Sequence, residues 1–128
     1  HLQWVAREWR TLEVLHAAGV SVPEPVARSE AGILMEFIGN EDGAAPRLHD
    51  ALLHERGALD PATLRGWWES LREDVVAMLR CDLVHGDLSA YNVLVAQGVP
   101  RIIDVPQAVD GRSPEGLELL VRDLGNLT

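Results

Sequence analysis

The 128-residue sequence predicts a mainly α chain with two small β-hairpins. Two observations carry that expectation. Apolar residues recur at every third or fourth position along extended stretches, as on one face of a helix, and two β-rich runs are each broken by a glycine-bearing turn. A third observation is the pair Asp60-Pro61, which combines a capping acid with proline at the first helical position.

Taken in order, Leu2 to Ala18 presents Val5, Trp9, Leu12 and Leu15 on one helical face, and Gly19 is a natural stop. Pro23 and Pro25 then force extended backbone. Val26 to Ser29, the turn "SEAG" and the run "ILMEFIG" predict the first hairpin. The polar stretch "NEDGAAP" reads as a loop, and Asp50 to Arg56 as a short helix. A longer helix starts at Pro61 and carries Leu64, Trp67, Trp68, Leu71, Val75, Met78 and Leu79 on one stripe. The second hairpin is "NVLVAQGVPRIIDV". Ser113 and Pro114 open a last helix, expected to turn Leu117, Leu120, Val121 and Leu124 toward the core.

With 47% hydrophobic and 24% charged residues the composition is that of a globular domain rather than a disordered chain. A net charge of -9 disfavours nonspecific binding to nucleic acid or an anionic membrane. No apolar run approaches the roughly 20 residues of a membrane span, so the expected location is cytoplasmic. The single cysteine, Cys81, excludes an internal disulfide framework and a multi-thiolate metal site. The chain begins in helical rhythm without an initiator methionine, and is expected to be a piece of something longer.

The chemistry concentrates in "LVHGDLSAYNVLV", residues 83 to 95, and in "RIIDV", which carries Asp104. Asp87 and Asn92 sit on a loop between a helix and a hairpin whose second strand ends at Asp104, so three oxygen-bearing side chains can converge. Magnesium prefers such hard donors and takes few of them from protein, which leaves positions for phosphate oxygens. On this reading Asn92 and Asp104 are ligands. Asp87 accepts the proton of an attacking hydroxyl or orients a water. His85 braces the loop. Singly, Asp87 and Asn92 are ordinary turn or capping residues. Together, H-x-D-L-x-x-x-N, a β-run and a strand ending in aspartate reproduce in order the protein-kinase catalytic loop and metal-binding strand.

These stretches, together with "EWRTLEVLHAAGVSVPEPV", "ILMEFIGNEDGAAPRL" and "SPEGLELLVRDLGNL", resemble the RIO family of atypical serine/threonine protein kinases, whose metal-binding strand ends in I-D-x-x-Q rather than D-F-G. The resemblance spans nearly the whole chain. It implies a protein-kinase-like carboxyl lobe with part of the amino lobe, residues 1–39 being the end of the amino lobe and 40–128 the carboxyl lobe. It implies ATP and Mg2+ as cofactors, Asp87 as catalytic aspartate, and Asn92 and Asp104 as the metal pair. Met35, Glu36 and Ile38 match the nucleotide-binding hinge, and Glu8 matches the glutamate that pairs with a phosphate-holding lysine. That lysine and a glycine-rich loop are not found here, so the 128 residues alone are expected to show little or no turnover. In the family the aspartate matching Asp104 can itself accept phosphate, which implies an ATPase-like cycle beside transfer to a protein. Association with the small ribosomal subunit is implied as well. Gly86 stands where ordinary kinases have arginine, and Val105-Pro106 departs from the D-F-G switch, so control by activation-loop phosphorylation is not expected.

Two alternatives stand beside this reading. Small-molecule kinases of the aminoglycoside phosphotransferase type also use an H-G-D loop, but "IIDVPQAVD" differs from their usual strand. A catalytically silent module that binds nucleotide or a partner is favoured by the missing lysine and disfavoured by the presence of all three polar site residues.

Overall fold

The computed structural model of the chain describes residues 2–54, 60–105, 109–110 and 113–127. Its elements are α1 (Leu2–Ala17), β1 (Pro25–Ser29), β2 (Gly32–Met35), β3 (Gly39–Asn40), β4 (Gly43–Ala44), α2 (Leu48–His54), α3 (Pro61–Arg80), β5 (Leu83–Val84), β6 (Val93–Ala96), β7 (Val99–Ile102), β8 (Val109–Asp110) and α4 (Pro114–Leu127). The mainly helical fold class is the one the sequence predicts. Positions 55 and 56 of the predicted short helix, and Pro106 and Gln107 after the Asp104 strand, lie outside the described residues.

α3 is the central support, and its start is set locally. The Asp60 Oδ1 accepts the Thr63 N–H at 2.7 Å, and Pro61 follows where no amide hydrogen is needed. Its inward stripe is Trp67, Leu71, Val75 and Met78, whereas Leu64 and Trp68 of the predicted stripe lie at its solvent edge. The Trp67 indole donates to the Gly98 carbonyl at 3.0 Å and so fastens α3 to the tip of the β6–β7 hairpin. That tip is tight because Gln97 and Gly98 both have positive φ, 54° and 75°, as a two-residue hairpin turn matched to strand twist requires.

The β6–β7 register pairs Val93 with Ile102, and both are fully buried. They meet Leu12 and Leu15 of α1, Leu71, Val75 and Met78 of α3, and Leu88 in one core. The link after α1 is woven into this core rather than looped over it. Val20 and Val22 are buried, and the Ile102 N–H donates to the Ser21 carbonyl at 2.8 Å.

Three features differ from the sequence-based expectation. β3 and β4 form a two-residue ladder inside the stretch read as a loop, and β5 pairs with β8. Ladders this short leave no periodic trace, and the second joins positions far apart in sequence. The third is the face of α4. Leu117, Val121 and Leu124, expected to face the core, are 58%, 70% and 42% exposed. Only Leu120 of that set packs against the core, while Gly116 and Asp123 are the buried positions. The cause lies in what α4 covers.

Candidate active site

α4 covers the turn from Gly86 to Leu88. This turn has no strand or helix to satisfy its backbone, and Gly86 adopts a left-handed φ of 91°. The buried Asp123 carboxylate supplies the missing acceptors: Oδ2 takes the Gly86 N–H at 2.8 Å and Oδ1 the Leu88 N–H at 2.9 Å. Arg122 donates to the Gly86 carbonyl, and Asn126 Nδ2 to the Leu88 carbonyl at 3.2 Å. Both peptide groups flanking Asp87 are thus held from one polar helix face, and the Asp87 side chain stands exposed between them. Asp123 and Arg122 escaped the sequence reading. The available signal was an Arg-Asp pair interrupting an otherwise apolar run, "ELLVRDL".

A second clasp joins this loop to the strand that ends at Asp104. The His85 ring is buried, its Nδ1 accepting the Asp87 N–H at 3.1 Å and its Nε2 lying 3.2 Å from the Ile103 carbonyl. Because Nδ1 accepts, Nε2 carries the proton and donates. On the other side, the Ile103 N–H donates to the Asn92 carbonyl at 2.9 Å. Ile103 is therefore gripped at both its polar backbone atoms by residues of the loop, which fixes the backbone leading into Asp104 against Asn92 and His85. Asp104 itself has a φ of 66°, an uncommon conformation for a residue with a side chain. The Asn92 Oδ1 accepts from the Ser89 N–H at 3.0 Å and from the Ser89 hydroxyl at 2.9 Å, so in this structure the amide is turned into its own loop.

Glu8, Met35, Glu36, Ile38 and Asp104 line a single cavity of about 300 Å³, together with Pro23, Phe37, Leu94 and Ile103. Asp87 and Asn92 are not part of its wall. The Glu8 carboxyl is held above the usual carboxylate range, first by burial and then by the negative charge of Asp104. The 128 residues contain no lysine that could answer this charge. A larger hollow of about 460 Å³ between α2 and α3 is walled mainly by Leu48, Leu52, Leu64, Trp67, Trp68 and Leu71. Among the described residues its lining carries no carboxylate, whereas that of the smaller cavity carries Glu8, Glu36 and Asp104.

The sequence that builds this site matches the RIO domain over residues 1–128. The chain belongs to the RIO domain family. It is 37% identical to the serine/threonine-protein kinase RIO1 of Chaetomium thermophilum, over 97% of this chain and 25% of that protein. It is 37% identical to the RIO-type serine/threonine-protein kinase Rio1 of Haloferax volcanii, over 97% of this chain and 40% of that protein. Against the serine/threonine-protein kinase RIO3 of Mus musculus the identity is 33%, over 98% of this chain and 23% of that protein. The chain thus spans between 23% and 40% of the length of these relatives. RIO domains are kinase-like, which agrees with the helices and small hairpins seen here. Among the described residues no helix is long and apolar enough to cross a membrane.

Proposed function

We propose that this RIO domain serves ATP-dependent phosphoryl transfer, to a serine or threonine of a protein or to water, with residues 1–39 and 40–128 as parts of the two lobes that enclose the nucleotide. The observation that carries the reading is the double grip on Ile103. It joins the Asp87 loop to the Asp104 strand at the edge of a cavity whose other wall is the Met35–Ile38 segment. Adenine would rest against the backbone of that segment, leaving the phosphates to reach toward Asp104.

The residues fit a magnesium ion escorting those phosphates. Asp104 and Asn92 offer two hard oxygens, few enough for a metal that keeps water and phosphate ligands. The mutual repulsion of Glu8 and Asp104 marks a place where positive charge is wanted. Such an ion would neutralise charge developing on the phosphates. For Asn92 to contribute its oxygen, the Ser89 hydroxyl turns away and frees one lone pair. Asp87, steadied by the Asp123 bonds on either side of it, accepts the proton of the incoming hydroxyl or aligns a water. Asp104 as a phosphate acceptor would give an ATPase-like cycle. Transfer to a protein of the small ribosomal subunit, and a cytoplasmic setting, are the corresponding proposals for its partners.

Labelled ATP followed with the complete protein that carries these residues tests the reading. Asp87→Ala is expected to lose transfer and hydrolysis while still binding nucleotide, and Asp104→Ala to lose turnover together with magnesium-dependent binding. Turnover by Asp87→Ala at the unsubstituted rate would remove the basis of the assignment.

A further inference from the structure

Glu36 lines the nucleotide cavity, yet its carboxylate is engaged elsewhere. Arg101, on β7 and three residues before Asp104, donates from Nη2 to Glu36 Oε1 at 2.8 Å and from Nη1 to Oε2 at 3.3 Å. The same Nη2 donates to the Val22 carbonyl at 3.1 Å. Glu36 is also tied to the residue that leads into β1: Oε1 accepts the Glu24 N–H at 3.2 Å, and the Glu36 N–H donates to the Glu24 carbonyl at 2.8 Å. The Arg101 bonds, followed by that to Glu24, hold the Glu36 carboxyl below the usual carboxylate range. What remains of Glu36 for a ligand is its backbone carbonyl.

The value of this pair is not bulk stability. Arg101 and Glu36 are 22% and 38% exposed, and ion pairs so placed contribute little to folding. A two-pronged guanidinium fork fixes direction as well as distance. Here it connects the strand that leads to Asp104 with the Met35–Ile38 segment, both of which line the same cavity.

We propose that Arg101 is a positioning residue for the nucleotide: by gripping the Glu36 carboxylate and the Val22 carbonyl together, it sets the span between the Met35–Ile38 wall and Asp104. The inference rests on the nucleotide reading above. It makes the two ends of the cavity one rigid frame, in which base and phosphates are placed by a residue that touches neither.

The test uses the complete protein with Arg101→Met, Arg101→Lys, Glu36→Gln and the Arg101→Met/Glu36→Gln pair. Binding of magnesium-ATP is measured by calorimetry, KM and kcat for ATP by turnover, and folding by thermal melting. Arg101→Met is expected to raise Kd and KM for ATP about five- to ten-fold and to leave kcat within about two-fold, the signature of lost ground-state placement. Arg101→Lys keeps the charge without the fork and recovers part of the loss. Glu36→Gln, which leaves the Val22 bond in place, raises KM by about two- to three-fold and keeps the test open if Arg101→Met folds poorly. The double variant binds no better than Arg101→Met. Unchanged ATP affinity in folded Arg101→Met, or affinity restored in the double variant, would overturn the proposal; the latter would mean that Arg101 only masks the Glu36 charge. If the unsubstituted protein binds no ATP, the nucleotide reading fails and the latch role with it. The titration of the unsubstituted protein separates that failure from a failure of the latch alone.

Discussion

α3 and α4 carry similar apolar rhythms and use them in opposite ways. α3 turns Trp67, Leu71, Val75 and Met78 inward. α4 leaves Leu117, Val121 and Leu124 outside and turns Asp123 in. The difference follows from what each helix meets. α3 meets side chains of the hairpin and of α1, where apolar area is what can be removed from water. α4 meets bare peptide groups. Leaving two buried N–H groups without acceptors costs about 1–3 kcal/mol each, which equals or exceeds the roughly 1.5–3 kcal/mol gained by burying one valine or leucine. The carboxylate wins the inward position. Each helix also buries one acid, and here too they differ. Both Asp123 oxygens accept backbone N–H groups. Asp74 of α3 uses only Oδ1, toward Ser21 N at 3.2 Å and Ser21 Oγ at 3.3 Å, and its Oδ2 has no partner among the described residues.

The sharpest way to break this contrast is Asp123→Ala. Stripping two buried amides of their acceptor is expected to destabilise the protein by about 2–6 kcal/mol and, on the proposed reading, to lower phosphoryl transfer by the complete protein in the fraction that stays folded. Asp123→Asn, which keeps one acceptor oxygen, should fall between. Denaturant melts and ATP turnover read both, and an Asp123→Ala protein that melts like the original would end the comparison. Met78→Ala, at a fully buried position of α3, is expected to cost about 3 kcal/mol through lost burial and a residual cavity. Its kcat/KM per folded molecule should stay near the original, because the loss is in packing and not in the loop.

A pH titration of stability sharpens the contrast between the two acids. Burial pushes the Asp74 carboxyl above its ordinary 3.8, so the folded state holds that proton more tightly than the unfolded one. The sign is therefore a penalty, absent below pH 3.8, growing as pH rises toward the raised folded value, and constant above it. Asp74→Asn is expected to raise the neutral-pH melting temperature by a few degrees, with the gain vanishing as pH falls toward 3.8. A gain that persists at pH 3 would rule out ionisation as its cause. The smallest effect belongs to Val121→Lys, expected to stay within about 0.5 kcal/mol on a 70% exposed site. A cost much above that would show the outer stripe of α4 to be a covered one.

What could be read from the chain alone was whatever is local. The Asp60 cap, the Gln97-Gly98 turn and the bracing of the loop by His85 each depend on neighbours within a few residues, and each has the form the residues suggested. The stripe of α4 was misjudged because periodicity records where apolar residues lie and is blind to unmet backbone donors on the partner surface. The β5–β8 ladder and the bond from Arg101 to Glu36 join positions remote in sequence, and nothing near either partner announces the other. Asp87, Asn92 and Asp104 could be named from their motif. Asp123, which holds the first of them in place, could be found only by asking where the amides of Gly86 and Leu88 go.

The left-handed backbone at Asp104 means that the carboxylate proposed to hold the metal sits on one of the chain's least comfortable backbone positions. Glycine would adopt that geometry without penalty. A library of the complete protein sorted for thermal endurance alone should therefore drift toward glycine at 104 as it hardens, whereas one sorted for ATP turnover should, on the proposed reading, keep the acid and its discomfort.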